Sequence, residues 1–174
     1  SAEGRITPGC SGIYADEHVT AWKRIADFIH SNSDAKFCLQ IGHAGRKGST
    51  RIGWEGMDQP LTDGNWEVIS PSPLAHAGFM HVPRGMTRDD MDDVRDDFVA
   101  ATMRANEAGA DMIELHMAHG YLLSCFLTPV ANRRDDDYGG NLENRLRYPL
   151  EIFDAVRAAW PDDKPLGVRM NGVD

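Results

Sequence analysis

Segments of helical hydrophobic period alternate along this chain with short, nearly continuous apolar runs. Val19, Trp22, Ile25, Ala26 and Ile29 recur at i, i+3, i+4 spacing and predict a helix over 16–30. Ser31-Asn32-Ser33-Asp34 ends it. Residues 36–41 (Lys-Phe-Cys-Leu-Gln-Ile) then read as a buried parallel strand, with Gln40 as its polar interruption. Thr87, with Asp90 three residues on and acids crowding the first turn, predicts a helix start. Val94, Phe98, Ala101, Ala105 and Ala108 supply that helix's apolar face, and Gly109 its stop. A strand follows over 110–116, a helix over 142–160, a break at Pro161-Asp162-Asp163, and a last strand over 166–170. Residues 1–15 read as Gly/Pro-rich loop, and 42–86 and 117–141 as long polar loops.

The resulting order is α-β-α-β-α-β. Helix-to-strand connections are a few residues long, whereas both strand-to-helix connections run to tens of residues, far beyond the usual range of about 2–6. Long loops gathered after strands mark the working face of an α/β barrel. A doubly wound sheet would place loops similarly, but no Gly-x-Gly-x-x-Gly follows any of these strands. The expected fold is therefore α/β, a partial (β/α)8 (TIM) barrel containing central strands only, because a whole barrel needs about 250 residues and this chain has 174.

The net charge of −9 argues against a nucleic-acid partner and against a polybasic membrane surface. No apolar run approaches membrane-spanning length, and no basic-then-apolar leader is present. Cys10, Cys38 and Cys125 are too few and too scattered for a disulfide framework, which fits a reducing, cytoplasmic compartment. The opening Ser1-Ala2-Glu3-Gly4 reads as mid-loop sequence, so the expectation is a piece of a longer protein.

The candidate chemistry collects at strand ends. His116-Met-Ala-His119-Gly-Tyr121 closes the second strand with two imidazoles able to donate hydrogen bonds and a phenol able to pass a proton. His116 and His119, with Glu114 nearby, could also begin a metal site, but no second His/Asp cluster supplies further ligands, so donors are favoured over metal ligands. Gln40 offers both a donor and an acceptor, which suits the edge of a heterocycle, and a buried glutamine bonded to backbone is the plain alternative. Arg169 is a permanent cation that needs an electron-rich ligand or a salt bridge, for instance to Glu114. His43 to Lys47 lacks phosphate-loop spacing, and packing by Arg46 is its expected role. The mixed-charge stretch 132–145 reads as a self-bonded scaffold loop.

The segments Gln40-x-x-His43-Ala-Gly-Arg46, His116-x-Ala-His119-Gly-Tyr121-Leu-Leu-x-x-Phe126-Leu-x-Pro129 and Asn132-Arg-Arg-Asp-x-x-Tyr138-Gly-Gly-x-x-Glu143-Asn144-Arg145 closely resemble the Old Yellow Enzyme family. Those proteins are FMN-dependent NAD(P)H oxidoreductases on a TIM barrel. Trp54, Trp66, Ser70-Pro-Ser72 and Arg145-Leu-Arg147-Tyr-Pro-Leu are similar, more narrowly, to the reductase half of bifunctional salicylyl-CoA hydroxylase/oxidoreductase proteins. The resemblance implies FMN and NAD(P)H as cofactors. It implies that Gln40 bonds the flavin pyrimidine and Arg169 sits by flavin N1 and O2. It further implies that His116 and His119 clamp the carbonyl oxygen of an electron-poor alkene, and that Tyr121 donates the proton. The substrate would be a small carbonyl compound, an enone or an aromatic-CoA thioester.

The resemblance also implies that residues 1–174 are the central segment of one FMN-binding barrel domain, matching strands three to five. The flavin-covering and phosphate-binding strands lie outside the chain. Cys10 falls after the region where some members carry a redox-tuning cysteine. Alone, the chain would then bind FMN weakly or not at all, and its open sheet edges would favour self-association. Two rival readings are a metal-dependent hydrolase on a barrel and an inactive structural fragment.

Overall fold

The computed structural model describes residues 1–173 and contains five helices and five strands. In chain order these are α1 (Asp16–Asn32), β1 (Cys38–Ile41), a 3-10 turn (Gly45–Lys47), α2 (Gly53–Gly56), β2 (Ile69–Ser70), β3 (Arg84–Gly85), α3 (Arg88–Glu107), β4 (Met112–Met117), α4 (Leu122–Leu127), α5 (Leu142–Ala159) and β5 (Leu166–Met170). The main sheet is parallel in the order β1-β4-β5. Each of its strands is entered from a helix, as the alternating pattern predicts.

Register sorts the side chains. Gln40 pairs with Glu114, Glu114 with Gly167, and His116 with Arg169. Because successive side chains alternate between faces, Gln40, Glu114, His116 and Arg169 share one face of the sheet. Leu39, Ile41, Ile113, Leu115 and Met117 share the other and are buried there. Helix α3 covers this second face with Met91, Val94, Phe98, Ala101 and Ala105, and α5 with Tyr148, Ile152 and Val156. Tyr148, although fully buried, satisfies its hydroxyl by donating to the Met91 carbonyl at 2.9 Å.

The start of α3 is built as expected. The Asp90 amide donates to Thr87 Oγ1 at 3.2 Å, and the Thr87 amide donates to Asp90 Oδ2 at 2.7 Å, a reciprocal capping box. The chain turns away after α3 at Gly109, φ +88°.

Several expectations are corrected. The strand expected over 36–41 begins at Cys38, and the one over 110–116 is Met112–Met117. The first helix extends to Asn32, and only its Val19 and Ala26 are buried. Ile25, assigned to its apolar face, is 42% exposed, because α1 lies at the edge of the sheet and packs chiefly against α3.

Residues 117–141 are not wholly polar loop. Leu122–Leu127 forms α4, with Leu122, Leu123, Ser124, Cys125 and Phe126 all buried. The 42–86 excursion contains α2, the 3-10 turn and a two-residue parallel ladder between β2 and β3. That ladder is bridged by the Met86 amide donating to the Ser70 carbonyl at 3.0 Å.

Candidate active site

At the C-terminal ends of β1, β4 and β5 lies an open cavity of about 470 Å³ lined by Gln40, His116, His119, Tyr121 and Arg169. All five candidate residues named from the sequence therefore meet on one cavity. The N-terminal loop, read only as loop, supplies another wall through Cys10, Gly12, Ile13 and Tyr14. Nothing in its Gly/Pro-rich composition signalled this.

The connection after β4 positions the two imidazoles and the phenol. The Tyr121 amide donates to the Ala118 carbonyl at 3.2 Å, closing a turn around His119 (φ +61°) and Gly120 (φ +72°). Two central residues with positive φ are the pattern of a type I′ turn. Glycine takes this backbone freely, whereas a histidine there is strained by about 1–2 kcal/mol. Tyr121 then stands at the N-cap of α4, so the buried helix anchors the phenol's backbone.

The rings form a connected set. The Ala118 amide donates to His116 Nδ1 at 3.2 Å, so the neutral ring carries its proton on Nε2. That nitrogen lies 3.1 Å from His119 Nδ1, which accepts, leaving the His119 proton on Nε2. The centroids of His116 and Tyr121 are 4.9 Å apart and edge-on. His116 is 7% exposed, and its pKa is lowered, first by burial and then by the charges of His119 and Arg169. It is therefore a neutral donor at physiological pH. Burial first, and Asp58 second, push the Tyr121 pKa up, which keeps the phenol protonated.

Glu114 organises the inner face. Its Oε1 accepts from Gln40 Nε2 and, at 2.8 Å, from Arg169 Nε. These two contacts, the Gln40 bond foremost, lower its pKa and hold it ionised. The plain alternative for Arg169, a salt bridge to Glu114, is present, whereas that for Gln40 is not, because Gln40 is exposed and bonds the Glu114 side chain rather than backbone. Gln40 Oε1 and the terminal guanidinium nitrogens of Arg169 have no partner among the described residues. One acceptor beside a fixed cationic donor matches the edge of a flat heterocycle bearing N–H and carbonyl groups. Glu114 is committed to this bridge, and among the described residues no three His, Cys, Asp or Glu side chains converge as a metal centre would require.

The His43 to Lys47 stretch packs as a brace. Gly45, φ +56°, lies against the first turn of α4, where an added Cβ would come within 3.0 Å of Leu122 Cα. The buried Arg46 donates to the Leu74 carbonyl at 3.1 Å and ties the long excursion down. His43 accepts from the Gly45 amide at 3.0 Å, and burial above all lowers its pKa to about 4.

The 132–145 loop is self-bonded. Asn132 Nδ2 donates to the Phe126 and Tyr138 carbonyls at 2.9 and 2.8 Å, and Arg145 Nε donates to the Leu127 carbonyl at 2.7 Å. Two contacts at the site escaped sequence reasoning. Asn171, just past β5, accepts from the His119 amide at 3.0 Å, and Lys47 Nζ lies 3.4 Å from the His119 carbonyl. The first had a visible signal, a polar residue directly after a strand end. The second had none.

A parallel sheet that gathers this donor set at its C-terminal ends defines the working face of an α/β barrel, and comparisons with known proteins agree. The model of the NADH:flavin oxidoreductase / NADH oxidase family matches residues 1–174, and the chain belongs to that family. It is 43% identical over 176 residues to an NADH:flavin oxidoreductase of Gibberella zeae, covering 98% of this chain and 42% of that protein. It is 41% identical over 174 residues to an NADPH dehydrogenase of Geobacillus sp., covering 100% of this chain and 46% of that protein.

Among solved structures, morphinone reductase superposes with a TM-score of 0.84 at 30% identity, over 98% of this chain and 46% of that one. Old Yellow Enzyme from Pichia sp. AKU4542 superposes at 0.75 with 32% identity, over 91% and 41%. The fold is thus a partial (β/α)8 barrel, and the chain spans a little under half the length of the curated relatives it matches. No helix among the described residues is long and apolar enough to cross a membrane.

Proposed function

We propose that residues 1–174 are the central segment of a single FMN-binding barrel domain. The full-length protein is an NAD(P)H-dependent flavin oxidoreductase that reduces an electron-poor alkene conjugated to a carbonyl. The observation that carries this reading is one cavity that presents a heterocycle-binding pair, Gln40 and Arg169, beside a carbonyl-binding and proton-donating set, His116, His119 and Tyr121. Family membership supports it. So does the name of one structural neighbour, a morphinone reductase complex with tetrahydroNAD. FMN, when bound, supplies the hydride, which it receives from NAD(P)H.

The chain's own residues do the rest. Gln40 and Arg169 hold the polar edge of the ring, and the guanidinium favours negative charge gathering there. Glu114 fixes that guanidinium through its Nε and leaves the terminal nitrogens for the ligand. An incoming carbonyl oxygen competes with His119 Nδ1 for the Nε2–H of His116, and His119 supplies the second donor once its ring turns. Both bonds strengthen as negative charge develops on that oxygen. Tyr121 delivers the proton to one alkene carbon as the other takes the hydride, so the products balance as a saturated carbonyl compound. The free edges of β1 and β5 pair with the remaining strands of the barrel. In the isolated chain, they drive self-association.

The experiment is a flavin-fluorescence titration of the full-length apoprotein with FMN. Arg169→Met should weaken binding by about 10–100-fold, the worth of hydrogen bonds to a charged group. Gln40→Leu should weaken it less. Unchanged affinity in both variants would remove these residues from the flavin edge.

A further inference from the structure

His119 is held in a backbone conformation that its own side chain disfavours, and the two peptide groups flanking it are each gripped from a different part of the fold. The amide on its N-terminal side donates to Asn171 Oδ1 at 3.0 Å, and the carbonyl on its C-terminal side accepts from Lys47 Nζ at 3.4 Å. Asn171 follows β5 directly, and Lys47 ends the 3-10 turn after β1. The turn's own single bond, from the Tyr121 amide to the Ala118 carbonyl, closes the loop but leaves both of these groups unsatisfied.

We propose that Asn171 and Lys47 are positioning residues for the reaction. They hold His119 in its left-handed conformation, and so place its imidazole on the cavity wall within reach of His116 and the substrate oxygen. This rests on the function proposed above and assigns a role to two residues that the carbonyl-binding and proton-donating set leaves out. A histidine freed from left-handed backbone relaxes toward negative φ, which swings its Cβ and ring away from the cavity wall that it shares with His116. A bond to the backbone amide resists this rotation without occupying either ring nitrogen of His119.

The Lys47 ammonium adds a second constraint. It lies 5.4 Å from the centroid of the Tyr121 ring, on its face, and thus ties the His119 carbonyl to the phenol. It has no carboxylate partner among the described residues, so nothing else draws it away.

The test is a double-mutant cycle in the full-length holoenzyme, with kcat/KM for an uncharged enone as the readout and FMN affinity and the thermal midpoint as controls. Asn171→Ala should lower kcat/KM by about 10-fold with FMN affinity unchanged, and Asn171→Asp, which keeps the acceptor, should restore most of it. In a His119→Ala background, Asn171→Ala should cost less than about 2-fold, because the group it positions is gone. Lys47→Met should follow the same pattern with a smaller factor. An Asn171→Ala enzyme of unchanged kcat/KM would overturn the proposal, as would an equal loss in both backgrounds, the mark of a general structural role. If His119→Ala lowers turnover while Asn171→Ala does not, only this inference fails. If His119→Ala leaves turnover unchanged, the proposal falls together with the reading of the site.

Discussion

Replacing Tyr121 by Phe in the full-length protein should slow alkene reduction by about 10²–10⁴-fold, the range expected when a positioned general acid is removed. The substitution keeps the ring and its edge-on contact with His116 at 4.9 Å between centroids, so packing is preserved and only the proton is lost. Burial holds the phenol protonated, and its place at the N-cap of α4 fixes it beside the two imidazoles. The measurement is the rate at which an enone reoxidises the anaerobically reduced enzyme. Reduction of the enzyme by NAD(P)H, which needs no proton from this residue, should change little. A Phe variant that reoxidises at the wild-type rate would move the proton donor elsewhere.

The second large effect is on stability. Phe126→Ala should destabilise the fold by about 3–5 kcal/mol, as for other fully buried aromatic residues cut to alanine. Phe126 is completely buried in α4, with its ring centroid 4.5 Å from that of Tyr148 on α5. Its backbone carbonyl also accepts from Asn132, so the helix, the 132–145 loop and α5 meet at this residue. The denaturant midpoint of the full-length protein reports the loss. A shift worth less than about 1 kcal/mol would mean that neighbouring side chains refill the space, against the close packing seen around Tyr148.

The long periodic segments of this fold were legible in the sequence. The Thr87/Asp90 capping box, the stop at Gly109 and the apolar runs of β1, β4 and β5 each follow from local rules that tertiary contacts reinforce. Helix α4 was hidden because its six residues are too few to show a period, and its sequence, Leu-Leu-Ser-Cys-Phe-Leu, is apolar on every side. Such a segment becomes a helix only when surroundings on all sides bury it. Elements β2 and β3 were hidden for a related reason, since two-residue strands carry no alternation to read.

The strand-end rule named Gln40, His116, His119, Tyr121 and Arg169 as candidates, and they line one cavity because the C-terminal ends of neighbouring parallel strands lie side by side. The expected salt bridge of Arg169 to Glu114 is present, but the bond that ties Gln40 to the same carboxylate was not foreseen. That bond depends on cross-strand register, which sets Gln40 directly beside Glu114, with Arg169 two residues beyond Glu114's partner Gly167 on the same face. Nor could the rule find the N-terminal loop on the cavity wall, where the placement is tertiary and leaves no local trace.

An anaerobic single turnover decides whether this site reduces an enone. The full-length protein is reduced with one equivalent of NADPH and mixed with a 2-enone, while the flavin absorbance and the product are followed together. The expected result is reoxidation of the flavin with one saturated carbonyl compound formed per flavin, and loss of that reoxidation when His116 and His119 are both replaced by Ala. A flavin that stays reduced in the presence of enones, or one that reoxidises equally fast without the two histidines, would contradict the proposed reaction.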